Sequence, residues 1–156
     1  WSWSRGLGDV YKRQVVTIVL VLSLMQFWTG WLAAAIGEPE TQGHIKQIQK
    51  NLSANYVLEK ILTACILAPL AEEFLYRGFL YPAVKKYTQP FVAAVVVSGL
   101  FAVAHGFAAG LLPLFVMGLL LILAYELTGA ILVPILIHAG FNLFNVLYTV
   151  YRANAV

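Results

Sequence analysis

Three long runs of this chain carry no Asp, Glu, Lys or Arg: Val15 to Gly37, Tyr87 to Tyr125, and Leu127 to Tyr151. A helix in lipid satisfies its backbone N–H and C=O groups internally and needs about 20 apolar residues to cross. The middle run is long enough for two such helices. The chain therefore reads as all-α, a polytopic transmembrane helical bundle of about five spanning or partly spanning helices. Composition agrees, with 61% hydrophobic and 11% charged residues, against about 25% charged in an average soluble domain. The 156 residues leave room for one membrane domain. The single Cys65 lies in an apolar stretch and forms no internal disulfide.

Ser4 to Gln14 read SRGLGDVYKRQ, which resembles the in-frame translation of a transposon adapter used in shotgun sequencing. Residues 1–14 are accordingly expected to be an artefact, with further helices upstream in the native chain and a prokaryotic source. Without Arg5, Asp9, Lys12 and Arg13, seven basic and six acidic residues remain, a net charge of +1. The basic excess that would suggest a nucleic-acid partner disappears.

Residues 15–56 are expected to form an N-terminal transmembrane helix, Val15 to Ile36, and a polar loop from Glu38 to Tyr56. Trp28 and Trp31 suit an interfacial position. Residues 57–151 form the core, and 152–156 a short C-terminal tail. Within the core, helices are expected over 57–81, 91–107, 111–127 and 131–151. Pro69 is expected to kink the first of these just before Glu72 and Glu73, so that the site helix is bent. Gly99, Gly118 and Gly140 would permit close helix approach.

The polar residues inside these segments are the informative ones, because ionisable groups in lipid are costly and mark sites. Glu72, Glu73 and Arg77 lie in EEFLYR, His105 in FAVAH, and His138 with Asn142 in HAGFN. Residues three or four apart share a helix face. Glu73 can thus pair with Arg77 as a buried brace, which leaves Glu72 free as a general base. Phe101 shares a face with His105 and is expected to pack beside the site. His138 and Asn142, four apart, offer N–H donors suited to a developing oxyanion; Asn145 is a candidate for an interhelical hydrogen bond. Glu72, His105 and His138 would also serve as zinc ligands, although the HExxH pattern of zincins is absent. Spacing alone does not separate a metal-bound water from one polarised by Glu72 and His105.

The three patterns EExxxR, FxxxH and HxxxN, in this order, resemble the type II CAAX prenyl endopeptidases and their bacterial relatives, the CPBP or Abi intramembrane proteases. The resemblance covers about Val57 to Tyr151. It implies a multi-pass membrane endopeptidase whose active site is buried among the helices, and the adapter reading places it in a prokaryotic cell membrane. Water would be activated by Glu72 and His105, the oxyanion held by His138 and Asn142, and the site braced by Glu73 and Arg77. It implies no cofactor, with zinc as the alternative. It also implies membrane lipid and a peptide or protein substrate as partners, the substrate prenylated or a bacteriocin or pheromone precursor. Non-catalytic bacteriocin self-immunity is the alternative function.

Overall fold

The computed structural model describes residues 51–106 and 111–154, with isolated positions and short runs between 12 and 47. Four helices build the described core: α1 (Ala54–Lys85), α2 (Pro90–Ala104), α3 (Leu111–Thr128) and α4 (Leu132–Asn154). No strand occurs among the described residues. Of the expected first helix, positions 15–20 are described and helical. The rest of that segment up to Ile36 is only partly described. Nearly all of residues 1–14, most of the polar loop, and the link 107–110 lie outside the described residues.

Local sequence explains where the helices start and stop. Pro90 opens α2 in the first turn, where its missing N–H costs nothing. Gly106 (φ +61°) and Gly129 (φ +64°) follow α2 and α3 in the left-handed conformation that glycine adopts without a Cβ penalty. The Gly129 N–H closes the α3 terminus on the Tyr125 carbonyl at 2.8 Å. α1 starts three residues before the expected Val57 and runs four past Tyr81. α4 continues three residues past Tyr151.

α1 is 32 residues long and contains two π-helical stretches, Ile61–Leu67 and Phe74–Leu80, each ending two residues before a proline. A proline ring clashes with the carbonyl four residues back and cannot donate. In both places the residue just before the proline donates five residues back, Ala68 N–H to Thr63 and Tyr81 N–H to Tyr76. The wider turn is the local answer to Pro69 and Pro82, and it keeps one continuous helix through the Glu72-Glu73 pair.

α1, α3 and α4 are each long and apolar enough to cross a membrane. α2 has 15 residues, which at about 1.5 Å per residue gives roughly 22 Å against a hydrocarbon core of roughly 30 Å. α2 is thus shorter than a full crossing, and His105 stands at its C-terminus. The outer surface carries Phe79, Phe91, Val103, Leu127 and Tyr151, all well exposed, as expected where lipid rather than water is the solvent. The protein is a multi-pass integral membrane protein.

The inner faces of α1, α2, α3 and α4 meet in a core of Tyr76, Val97, Phe101, Leu121 and Ile137. Gly118 on α3 sits directly against Ser98 on α2; a Cβ there would lie 2.9 Å from Ser98 Cβ and 3.1 Å from Ser98 Cα. Gly99, by contrast, faces open space, so only one of these two glycines forms the close crossing. Gly118→Ala is expected to force α2 and α3 apart. The loss should be about 1–3 kcal/mol, read as a lower melting temperature in detergent, whereas Gly99→Ala should leave it unchanged or raise it.

Candidate active site

Glu72 and Glu73 are adjacent on α1 but have opposite environments. Glu73 and Arg77 are both fully buried, with Arg77 Nη1 donating to Glu73 Oε1 at 2.9 Å. The guanidinium uses a second arm as well, since Nη2 donates to the Gly118 carbonyl at 3.1 Å. The close α2–α3 crossing thus also delivers the acceptor that fixes Arg77. Glu72 Oε2 is buried and accepts no hydrogen bond from a described residue, while the side chain as a whole is 29% exposed. The pairing expected from the i,i+4 spacing is present, and Glu72 is the carboxylate it leaves over.

Both histidines are oriented through Nδ1. His105 Nδ1 lies 2.8 Å from the Phe101 carbonyl, which can only accept, so Nδ1 carries the proton and Nε2 is a free lone pair in the neutral ring. His138 is buried, and its Nδ1 lies 2.8 Å from Glu73 Oε1. A carboxylate oxygen that accepts from Arg77 can only accept from the imidazole too, so that nitrogen is again the donor. The two Nε2 atoms then point the same way, each 3.9 Å from Glu72 Oε2. Three polar atoms from α1, from the C-terminus of α2 and from α4 converge on one small space.

Phe101 is the packing centre of this arrangement. Its fully buried ring lies 4.7 Å from the His105 ring and 5.8 Å from the His138 ring, with Tyr76 edge-on at 5.2 Å and the Arg77 guanidinium 4.9 Å from its centroid. One side chain therefore limits the rotation of both imidazoles and stacks on the brace.

Asn142 is placed differently. Its Nδ2 donates to the Ala64 carbonyl of α1 at 2.7 Å, so one of its two N–H groups joins α4 to α1. Asn145, expected to make an interhelical bond, instead donates to the Phe141 carbonyl of its own helix. The residue types were legible, but their division of labour depends on which α1 carbonyl lies opposite. The Gly118 carbonyl had no signal in the sequence; for Ala64 the signal was Pro69, whose missing N–H frees a carbonyl one turn back without saying which.

A zinc ion is the cofactor to test against this geometry. Imidazoles held through Nδ1 by a carbonyl or carboxylate are what metal-binding histidines usually show. Among the described residues, however, no group of three His, Cys, Asp or Glu side chains stands so as to hold a metal, and Glu72, His105 and His138 do not fit one.

Comparison with known proteins gives the same region a lineage. The family model for type II CAAX prenyl endopeptidase Rce1-like proteins matches residues 54–144, more than half of the chain. An Escherichia coli protein named "Uncharacterized 24.3 kDa protein" is 27% identical over 89% of this chain and 72% of its own length. The Bacillus subtilis protein "Putative membrane peptidase YdiL" is 31% identical over 56% of this chain and 36% of its own. The Lactococcus lactis protein "UPF0177 protein YxdF" is 31% identical over 51% of this chain and 44% of its own. This chain thus spans less than half the length of the last two. No solved structure matches. The matched stretch runs from the first residue of α1 to beyond Asn142 and so contains Glu72, Glu73, Arg77, His105 and His138, and on that footing the chain belongs to the type II CAAX prenyl endopeptidase Rce1-like family.

Proposed function

We propose that the protein is an intramembrane endopeptidase in which Glu72 and His105 activate a water for attack on a peptide carbonyl, with His138 and Asn142 stabilising the oxyanion. The observation that carries this reading is the convergence of His105 Nε2 and His138 Nε2 on Glu72 Oε2, each at 3.9 Å. Polar atoms that far apart suit a bridging water. A water about 2.8 Å from Glu72 Oε2 and from either Nε2 would subtend an angle of about 90° between them, well within what its lone pairs and protons allow.

Proton counting then separates the two histidines. The water has two protons, and donating one to Glu72 Oε2 and one to His105 Nε2 leaves a lone pair for the carbonyl carbon. His138 serves as a donor in the state in which Nε2 also carries a proton, its Nδ1–H remaining on Glu73. As the water oxygen bonds to carbon, its proton passes to Glu72 and the carbonyl electrons move onto oxygen. That oxyanion is met by His138 Nε2–H and the second N–H of Asn142. Glu72 returns the proton to the departing nitrogen as the C–N bond breaks, giving an amine and a carboxylic acid.

The substrate is proposed to be a membrane-associated protein or peptide, either prenylated or a bacteriocin or pheromone precursor. A helix surface facing lipid, with a site reached at the partly exposed edge of Glu72 and His105, suits a chain delivered from the bilayer. The mechanism is tested by cleavage of a lipidated peptide by the protein in vesicles, before and after exhaustive chelation. The expected result is an unchanged rate. Loss of activity that zinc alone restores would overturn the metal-free mechanism. Absence of any cleavage, with bacteriocin protection retained by Glu72→Ala together with His138→Ala, would instead favour a binding role.

A further inference from the structure

The Ala64 carbonyl is a group that its own helix cannot satisfy. In an α-helical turn it would accept from the N–H of Ala68, but that N–H is taken by Thr63 in the π-helical turn. In a π-helical turn it would accept from residue 69, and residue 69 is a proline with no N–H. The wide turn and the proline together remove both of the usual donors. Asn142 Nδ2, from α4, stands 2.7 Å from this oxygen. An unsatisfied carbonyl inside a membrane bundle is costly, so the asparagine replaces the missing helical donor.

We propose that Asn142 is a positioning residue, a fastener that pins α4 to the carbonyl orphaned by Pro69 and so sets the register between the two helices that meet at the site. Pro69 lies three residues before Glu72 on α1, and Asn142 lies one turn after His138 on α4. A slip of either helix at the Ala64–Asn142 bond would be carried directly to the 3.9 Å approach of Glu72 to His138 and to the Glu73–His138 bond. Glu73 and Arg77 hold the helices below this level, and Asn142 holds them above it. The assignment explains why the proline is tolerated in the middle of a site helix: its defect is the acceptor for an interhelical bond. It rests on the proposed peptidase reading only in its consequence for turnover, since the amide uses one N–H here and keeps the other for the oxyanion.

Pro69→Ala supplies the test, because an N–H at position 69 gives Ala64 a donor within α1. Melting temperature in detergent is measured for the full chain, for Asn142→Leu, for Pro69→Ala and for the double variant. Asn142→Leu alone is expected to lower the melting temperature by about 4–8 °C. In the Pro69→Ala background the same change should cost less than half as much. Failure of Asn142→Leu to fold, with recovery of folding by Pro69→Ala, would support the fastener equally. Equal losses in both backgrounds, or no folding in either, would overturn it. This arm needs no peptidase activity and stands or falls apart from the proposed reaction. For turnover, Pro69→Ala alone should lower kcat with KM unaffected, because the new N–H takes the Ala64 carbonyl from an Asn142 that still has its donor for the oxyanion. Parent kcat in Pro69→Ala would overturn the positioning role.

Discussion

Arg77→Met should be the most destabilising single substitution in the described core, lowering stability by about 3–5 kcal/mol, the usual consequence of breaking a buried ion pair by removing one partner. Arg77 is fully buried and spends two arms on partners from different elements, Glu73 of α1 and the Gly118 carbonyl of α3. Methionine fills much of the same space, so the loss is electrostatic rather than a cavity. It leaves Glu73 buried with only His138 as a partner, and it removes the side-chain bond that ties α1 to the Gly118 carbonyl of α3. Arg77→Lys should not rescue it, because one ammonium cannot reproduce a planar fork that serves two acceptors. Adding Glu73→Gln to Arg77→Met should recover part of the loss: the uncompensated charge goes, while the amide oxygen still accepts from His138 Nδ1–H. Thermal unfolding of the parent chain and these three variants in one detergent checks this order. Equal melting of Arg77→Met and the parent chain would mean that the brace carries no stability.

How much of this was legible in the sequence follows from what each feature depends on. α2, α3 and α4 were legible because apolar helices are written as charge-free runs: α2 and α3 divide the run from Tyr87 to Tyr125, and α4 lies close to the bounds of the run from Leu127 to Tyr151. Glu73 with Arg77 was legible because i,i+4 spacing is a property of one helix. The spared carboxylate, Glu72, followed by elimination from the same spacing. Features that depend on the facing helix were not legible. Gly99 and Gly118 are equivalent by composition, yet only Gly118 meets Ser98, since the α2–α3 crossing decides which glycine is inside. Asn142 rather than Asn145 makes the bond between helices for the same reason. The two π-helical stretches of α1 lie in between: Pro69 and Pro82 announce a disturbance, but its form depends on packing against α4 and α2. His105 illustrates the limit best. The sequence places it near a helix end, and only the shortness of α2 and the Phe101 carbonyl turn its Nε2 toward Glu72.

Glu72 separates stability from chemistry, so a substitution there tests the proposed reaction without disturbing the fold. Its Oε2 accepts no hydrogen bond from a described residue, so replacing it with the isosteric amide removes no bond that holds the helices together. Glutamine retains the shape and loses the ability to take a proton from water. A positioned general base contributes typically about 10²–10⁴-fold to rate. Loss of that order is therefore expected in kcat, with the melting temperature unmoved. Glu73→Gln should differ in kind, lowering the melting temperature because it weakens the bonds to both Arg77 and His138. The direct measurement is the initial rate of cleavage of a lipidated peptide by the full chain and by Glu72→Gln, each reconstituted in the same vesicles, with melting recorded on the same preparations. A fall of about 10²–10⁴-fold in rate at equal melting temperature is expected if Glu72 is the base; cleavage by a stably folded Glu72→Gln at the parent rate would contradict that role.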